Sequence, residues 1–208
     1  MKIKVIDNFL EDKDFLMFKN LKLPEVESDK MKIFHNKIDK DNKCFTECLS
    51  DQTLKNLQKN YHPKALKILE ELYPEKIKLY NFSEFHVILT GSKYKFPIHD
   101  DTPNKLLSGV IYINPEKNKG TMFYDDKRGS NLKNVDWKQN RAVFFARKER
   151  ETWHSFEGDG VSTRIAIVYN LMTTDLKSVC EIEGKNFILS SLRYKLNPYI
   201  YRYFKKVF

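Results

Sequence analysis

Residues 162–172 read STRIAIVYNLM and predict a strand with two unlike faces. Side chains alternate between the two faces of a strand. One face is small and partly polar, and it carries Arg164, Ala166, Val168 and Asn170. The other face is bulky and apolar. This contrast is typical of a barrel wall whose inside is a ligand cavity and whose outside packs under helices.

Four further β-rich runs follow residue 80, with turn residues between them. The runs are 84–90, 106–114, 121–124 and 141–146, and residues 125–139 are expected to form a mobile surface loop. Strands at this spacing favour a sandwich or a barrel over repeated βαβ units. We therefore predict an α+β fold with a mainly β core.

Residues 1–80 carry mostly helical signals after a short predicted strand at 2–6. Asp7 or Asn8 is expected to cap the first helix. Helices are predicted at 9–21, 53–60 and 63–73.

The chain has 208 residues, of which 41% are hydrophobic and 13% aromatic. This length suits one domain, and the composition excludes a disordered chain. We predict a single domain over residues 1–208 with three parts. These are a mostly helical support at 1–80, a β core at 81–175 and a basic aromatic extension at 176–208.

The net charge of +9 is concentrated at the carboxyl end of the chain. Residues 184–208 hold six basic side chains and no acidic one, so residues 1–183 carry only +3 of the total. The net charge therefore reflects one tail, and a nucleic-acid partner is not expected. Apolar residues of 192–207 recur at helix-like spacing, and Pro198 is expected to break any long helix. We expect this extension to pack on the core; the alternatives are contact with a partner or second copy, a membrane surface or a nucleic acid.

Three cysteines, Cys44, Cys48 and Cys180, form no CxxC pair, which argues against structural zinc and a disulfide framework. The first residues lack the apolar stretch of a signal peptide, and the chain contains no run of 18 apolar residues. A soluble, cytoplasmic protein without a transmembrane segment is expected, and its oligomeric state stays open.

His99 and Asp101 close the stretch GSKYKFPIHDD at 91–101. In an extended backbone these two side chains point the same way, while Asp100 faces away. Two histidines and one carboxylate on one face of an octahedron form the Fe(II) site of non-haem oxygenases. His154 is the only histidine further along the chain, so it is the candidate third ligand.

The His-x-Asp pair alone is weak support for a metal site. With five histidines and 28 acidic residues among 208, about 0.7 such pairs are expected by chance, so one pair decides nothing. A lone histidine is more often structural than a ligand, and His35, His62 and His86 are interpreted in that way.

Arg164 follows His154 by ten residues and begins the apolar strand. A guanidinium there can bind the distal carboxylate of 2-oxoglutarate through two hydrogen bonds in a dry pocket. Tyr112 shares one face of the run 106–114 with Ser108, so its hydroxyl can point into the same cavity. The alternatives are a surface salt bridge for Arg164 and a core position for Tyr112.

Residues 84–172 resemble the double-stranded β-helix core of Fe(II)/2-oxoglutarate-dependent dioxygenases, most closely their prolyl-hydroxylase-like branch. The matching motifs, in chain order, are His99 with Asp101, Tyr112-Ile113-Asn114, Gly120-Thr121-Met122-Phe123, Val143-Phe144-Phe145, His154 and Arg164. The opening VIDNFLEDKDF at 5–15 is similar to the first strand and helix of that branch. The resemblance implies a jelly-roll or cupin-like barrel with amino-terminal helices packed on one sheet.

The resemblance also implies that His99, Asp101 and His154 bind Fe(II), while Arg164 and Tyr112 hold the distal carboxylate of 2-oxoglutarate. The implied reaction uses O₂, converts 2-oxoglutarate to succinate and CO₂, and hydroxylates a C–H bond. The substrate stays open between a protein side chain and a small metabolite. The carboxylate of Asp101 implies a hydroxylase rather than a halogenase, which needs that position free.

The chain departs from that branch in the lining of the site. Leu89-Thr90-Gly91 stands where the branch often has Tyr-Pro-Gly, and Asn170 stands where it often has Trp. The second arginine that nucleic-acid demethylases carry after Arg164 is absent. The alternative function is a non-catalytic cupin-like module that binds a metal or a small acid and recruits a partner through its basic tail.

Overall fold

The computed structural model describes residues 2–204, with side chains up to residue 196. Its strands are β1 Lys4–Ile6, β2 Met31–Phe34, β3 Asn36–Asp39, β4 Cys44–Thr46, β5 Phe82–Thr90, β6 Lys95–His99, β7 Lys105–Asn114, β8 Thr121–Tyr124, β9 Lys133–Val135, β10 Ala142–Ala146, β11 Trp153–Glu157 and β12 Arg164–Met172. Its helices are α1 Asp12–Lys19, α2 Asp51–Leu72, α3 Leu176–Glu183 and α4 Phe187–Phe204, with a 3₁₀ helix at Pro74–Leu79.

The strands form two antiparallel sheets. The larger sheet has the order β1-β10-β7-β12-β5-β3-β4, and β2 also pairs with β5. Strands β2 and β3 therefore lie one after the other along the same edge of β5. The smaller sheet has the order β6-β11-β8-β9.

The amino-terminal helices cover the outer face of the larger sheet. In the main core, buried side chains of α1 and α2 join Ile167, Tyr169 and Leu171, which lie on the bulky face of β12. This face was predicted to pack under helices. The amino-terminal helices thus pack on one sheet, as the resemblance implied.

A second, smaller core lies between the two sheets. Tyr112, Val143 and Phe145 of the larger sheet pack there against Phe123 of the smaller sheet and against Trp137. This core holds the sheets together and leaves the small, partly polar face of β12 directed into the space between them.

The mainly β core is confirmed. Within residues 2–204, however, no strand pair joins the two sheets, so the predicted barrel is not closed. Side-chain packing between the sheets, rather than a continuous hydrogen-bond ladder, connects them. The double-stranded β-helix topology stays a prediction.

One helix, α2, replaces the two helices predicted at 53–60 and 63–73. Pro63 lies inside α2, although a proline removes one helix hydrogen bond and normally kinks or ends the helix. The buried stripe of α2 runs past this position, because Tyr61 before it and Ala65 after it both face the core. Continuous burial of the stripe outweighs the lost hydrogen bond.

The amino-terminal part is less helical than predicted, because it contributes β2, β3 and β4 to the larger sheet. These strands have only three or four residues and mixed polarity, so they show no clear alternation. The first helix begins after Glu11 instead of after Asp7 or Asn8. Asn8 has a φ of 51°, in the left-handed region, whereas a capping residue has an extended backbone.

Three strands of the smaller sheet were also missed. The stretches that end at His99 and surround His154 were not among the predicted strands, yet they form β6 and β11. The predicted mobile loop at 125–139 contains β9, which pairs with β8, and the buried Trp137. Strands of three to five residues give little periodic signal, so only their pairing partners identify them.

The carboxyl-terminal extension forms α3 and α4. Helix α4 runs through position 198, so the break expected at Pro198 does not occur; one proline removes a hydrogen bond without forcing a helix to end. Ser190 and Arg193 bond to Glu149, so polar contacts hold this part of the extension on the core. The predicted apolar positions Leu192 and Leu196 are exposed and do not contribute to this packing. The predicted apolar positions from 199 to 207 lie outside the described side chains. In the described part of the chain, every helix is too short or too polar to span a bilayer.

Candidate metal centre

Three side chains that are distant in sequence meet between the sheets. His99 ends β6 and lies directly opposite His154 of the neighbouring strand β11, with 4.1 Å between the ring centroids. Asp101 follows just beyond the end of β6, and its Oδ1 lies 4.0 Å from Nε2 of His99. One ligand atom from each of the three residues lies within 4.8 Å of the others. The structure thus brings together the three candidate ligands.

The two imidazoles are oriented in the same way. Nδ1 of His99 lies 3.0 Å from the carbonyl oxygen of Pro97, and Nδ1 of His154 lies 2.9 Å from that of Thr152. A carbonyl oxygen only accepts hydrogen bonds, so each Nδ1 carries the proton and donates. In the tautomer that these bonds select, Nε2 is the nitrogen left to bind a metal.

The carboxylate of Asp101 is held by two side chains. Ser108 of β7 donates to Oδ2 at 2.5 Å, and the Lys105 ammonium donates to Oδ1 at 2.7 Å. Ser108 thereby fixes the rotation of the carboxylate, and Lys105 balances its charge. The sequence placed Ser108 on the cavity face but did not predict its bond to Asp101. It gave no indication of a role for Lys105.

The protonation states suit metal binding. Burial, with a further contribution from the nearby His154, lowers the pKa of His99 to about 3. Burial opposes ionisation of Asp101, but Lys105 and the two imidazoles outweigh it and hold its pKa well below the usual value. Near neutral pH the site offers a neutral His99 and an ionised carboxylate.

Aromatic rings surround the imidazoles and exclude water. The ring of Phe96 lies 4.5 Å from that of His99, and the rings of Phe145 and Phe123 lie 4.7 and 6.0 Å from that of His154. Such a low-dielectric wall strengthens the interaction of a bound cation with the Asp101 carboxylate.

Arg164 lies deep in the same space between the sheets. It is 3% exposed, and its guanidinium carbon lies 4.7 Å from the ring centre of Phe156 and 4.9 Å from that of Trp137. Phe156 lies two residues beyond His154 on β11. This strand therefore places the guanidinium contact and a candidate metal ligand on one face. Burial lowers the pKa of Arg164 only to about 10, so it stays charged at neutral pH.

The Arg164 guanidinium lacks a protein partner for part of its donor set. Its Nη1 is buried without a hydrogen bond, and no acidic side chain among residues 2–196 pairs with it. A buried charge without a counter-ion is strongly unfavourable unless a ligand supplies one. The residue therefore fits a carboxylate-bearing ligand.

Tyr112 packs on the same tryptophan ring as Arg164, but its hydroxyl already has a partner. It donates to Oγ1 of Thr121 at 2.7 Å, and its ring stacks on Trp137 at 4.4 Å between centroids. Trp137 lies between Tyr112 and Arg164. Trp137 was not predicted as a site residue because it belongs to a polar segment. Its isolation among polar residues was the one sequence feature that could have indicated a buried role.

Asp100 supports the centre from behind. It faces away from the ligands, as predicted, and is buried, where it accepts hydrogen bonds from Oγ1 of Thr152 and the backbone N–H of Arg150. Thr152 is the residue whose carbonyl oxygen orients His154. Asp100 thus connects the Asp101 segment to the strand that carries the second imidazole.

Comparison with solved structures gives several matches at low sequence identity. A 2OG-Fe(II) oxygenase family oxidoreductase from Burkholderia pseudomallei is 12% identical, with a TM-score of 0.59 over 82% of this chain and 84% of that one. A Trichoplax adhaerens prolyl hydroxylase, solved with a hypoxia inducible factor oxygen degradation domain peptide fragment, is 16% identical, with a TM-score of 0.54 over 85% and 86%. A Pseudomonas putida prolyl-4-hydroxylase is 13% identical, with a TM-score of 0.54 over 82% and 92%.

No protein-family model and no curated protein matches the sequence. The resemblance predicted from the motifs is confirmed at the level of the fold. The chain therefore has the fold of 2-oxoglutarate/Fe(II) oxygenases, prolyl hydroxylases among them, and carries a His-Asp-His group between its two sheets.

Proposed function

We propose that this chain is an Fe(II)- and 2-oxoglutarate-dependent dioxygenase that hydroxylates a C–H bond of a protein side chain or a small metabolite. The observation that carries the proposal is the pairing of a His-Asp-His group with a buried, incompletely partnered arginine in one space between the sheets. The first fits a divalent metal and the second fits a carboxylate.

His99, Asp101 and His154 would hold the iron. Their donor set of two imidazoles and one carboxylate is the facial triad of non-haem Fe(II) oxygenases, which leaves further coordination positions open. With O₂ and 2-oxoglutarate, a bound Fe(II) supplies the oxidative decarboxylation to succinate and CO₂ and the hydroxylation of a C–H bond.

Arg164 would bind the distal carboxylate of 2-oxoglutarate. Its fixed charge between the rings of Trp137 and Phe156 is already desolvated, so the ion pair forms without further exclusion of water. Tyr112 would contribute at the same end of the cavity, although its hydroxyl donates to Thr121. We therefore assign it mainly to the wall that orients Trp137 and Arg164.

The proposal is tested by measuring succinate from 2-oxoglutarate with Fe(II)-loaded protein in air. We expect slow conversion without a primary substrate and its loss in His99→Ala. Arg164→Ala should raise the KM for 2-oxoglutarate by at least about tenfold, the effect of losing a charged hydrogen-bond partner. His62→Ala, on α2 and outside the space between the sheets, is the control and should behave as the unaltered chain.

Binding of Fe(II) without any decarboxylation would contradict the proposal. That result would favour the non-catalytic metal-binding module instead. Equal succinate formation by the unaltered chain and His99→Ala would also contradict it, because the activity would then come from another source.

A further inference from the structure

A row of polar side chains crosses the inner face of the larger sheet, starting at the metal centre. Ser108 of β7, which bonds to Asp101, is paired in register with Asn170 of β12. Asn170 is paired in turn with Glu84 of β5. Paired residues of antiparallel strands point to the same side, and Asn170 shares its strand face with Arg164. The row therefore faces the space between the sheets.

Asn170 has an acceptor that no described residue uses. Its side chain is 1% exposed, and its Oδ1 is buried without a hydrogen-bond partner. The amide orientation is fixed, because Nδ2 donates to Oε2 of Glu84 at 3.0 Å and a carboxylate only accepts. An unpaired buried acceptor is unfavourable by itself, so this atom fits a ligand that donates a hydrogen bond.

Two side chains, Asn170 and His86, contact the carboxylate of Glu84. In addition to the bond from Asn170, Nε2 of His86 lies 3.4 Å from Oε2 of Glu84. Nδ1 of His86 accepts the backbone N–H of Asn36 at 3.3 Å, so the ring carries its proton on Nε2. Burial raises the pKa of Glu84, but the bonds from His86 and Asn170 outweigh it and keep the carboxyl group ionised.

No lysine or arginine forms an ion pair with Glu84 within residues 2–196. The two nearby lysines have other partners. Lys105 bonds to Asp101, and the ammonium of Lys37 lies 3.7 Å from the ring centre of Phe82. Glu84 is therefore a largely buried anion whose nearest basic group is the His86 imidazole at 3.4 Å, and no lysine or arginine of residues 2–196 pairs with it.

We propose that Glu84 and Asn170 bind a cationic nitrogen group, an ammonium or a guanidinium, of the primary substrate. This inference rests on the proposed function, and it names the substrate class of that site. The Glu84 carboxylate and Oδ1 of Asn170 are both acceptors, and a cationic nitrogen supplies donors to both and a full positive charge beside the carboxylate. An anionic group in the same place is repelled.

The position of the row also limits where the substrate reacts. Neighbouring strands are about 4.8 Å apart, so Glu84 lies roughly 10 Å along the sheet from Ser108, which contacts the metal ligand Asp101. The carbon that reacts therefore lies several bonds away from the cationic nitrogen. Free basic amino acids and lysine or arginine side chains of a protein both satisfy this requirement.

The inference is tested by calorimetric binding to protein loaded with Mn(II) and 2-oxoglutarate, so that no turnover occurs. The probes are free arginine against citrulline and free lysine against norleucine, each pair also placed within a blocked peptide. We expect the cationic member of a pair to bind at least about tenfold more tightly than its neutral analogue. The free and the peptide probes distinguish a metabolite from a protein substrate.

Two variants locate the effect. Glu84→Gln keeps the size of the side chain and should reduce cation binding at least about tenfold, while Glu71→Gln on the exposed face of α2 should leave it unchanged. Asn170→Ala removes the unpaired acceptor and should reduce it as well. If either variant fails to fold, the comparison of arginine with citrulline on the unaltered chain still decides.

Equal binding of cationic and neutral probes, no binding of any cationic probe, or full cation binding by a folded Glu84→Gln would overturn the inference. Titrations with Mn(II) and 2-oxoglutarate precede these measurements, and they separate a failure of the proposed function from a failure of the substrate class. Failure to bind Mn(II) and 2-oxoglutarate contradicts the proposed function itself, whereas normal loading without a preference for cations contradicts only the substrate class.

Discussion

At the scale of single residues, each candidate ligand is oriented by a neighbour. Carbonyl oxygens orient His99 and His154, and the Ser108 hydroxyl holds the carboxylate of Asp101. Partners of this kind fix the direction of the metal-binding lone pairs before an ion binds. The ordering of the ligands is then largely complete in the metal-free chain.

We predict that Ser108→Ala weakens metal binding about tenfold, because the Asp101 carboxylate loses the donor that fixes its rotation. Mn(II) titration of the purified protein measures this affinity. Ser130→Ala removes a hydroxyl that donates to Asp126 in an exposed loop, and it should bind Mn(II) as tightly as the unaltered chain. An unchanged affinity in Ser108→Ala would mean that Lys105 alone orients the carboxylate.

Residue types and spacing were enough to nominate His99, Asp101, His154 and Arg164, because few side chains combine metal or carboxylate chemistry with the right strand parity. Their partners were not predictable in the same way. Thr152 supports the site through its bond to Asp100, and Trp137 through its contacts with Tyr112 and Arg164. These contacts depend on the register of the strands and the path of a loop. A hydrogen bond between residues that are distant in sequence leaves no pattern in the sequence itself.

At the scale of elements, the two carboxyl-terminal helices are tied to the metal centre by a buried network of charges. Glu183 of α3 accepts from Nη1 of Arg147 at 2.7 Å and from Nζ of Lys76 at 2.6 Å. Nε of Arg147 donates to the backbone carbonyl of Asp101. Arg193 of α4 reaches Glu149 in the same network. The helices thus position the segment that carries a candidate ligand.

We predict that Glu183→Gln lowers the free energy of unfolding by about 3 kcal/mol, because it leaves Lys76 buried without its ion-pair partner and removes the nearest of the three carboxylates around Arg147. Glu181→Gln on the same helix is the matched control. Its side chain is exposed and 4.0 Å from Lys177, so its loss should change the free energy by less than about 0.5 kcal/mol. Urea denaturation of the metal-free protein measures both, and equal effects would contradict a structural role for the buried network.

The long elements followed from sequence, and the short ones did not. Strand β12 and strand β7 have nine and ten residues with clear alternation, so their existence and faces were predictable. Strand β9 has three residues, and its place is set by pairing with β8. Helix α2 shows the opposite limit, since two helices were predicted where one helix runs through Pro63 and buries a continuous stripe.

At the scale of the whole molecule, two sheets enclose one site and contribute different residues to it. The larger sheet carries helices on its outer face and Arg164 on its inner face, and the smaller sheet supplies both imidazoles. The similar structures share 11–16% identity with this chain while covering more than four fifths of it. The fold is therefore retained through the placement of the sheets rather than through the identity of most side chains.

X-ray diffraction from crystals soaked with Mn(II) and 2-oxoglutarate, recorded to detect the anomalous signal of manganese, tests the central claim most directly. We predict one strong peak within bonding distance of Nε2 of His99, Nε2 of His154 and the carboxylate of Asp101, with a ligand carboxylate against the guanidinium of Arg164. A peak that is absent from these three side chains, or a 2-oxoglutarate bound away from Arg164, would contradict the account.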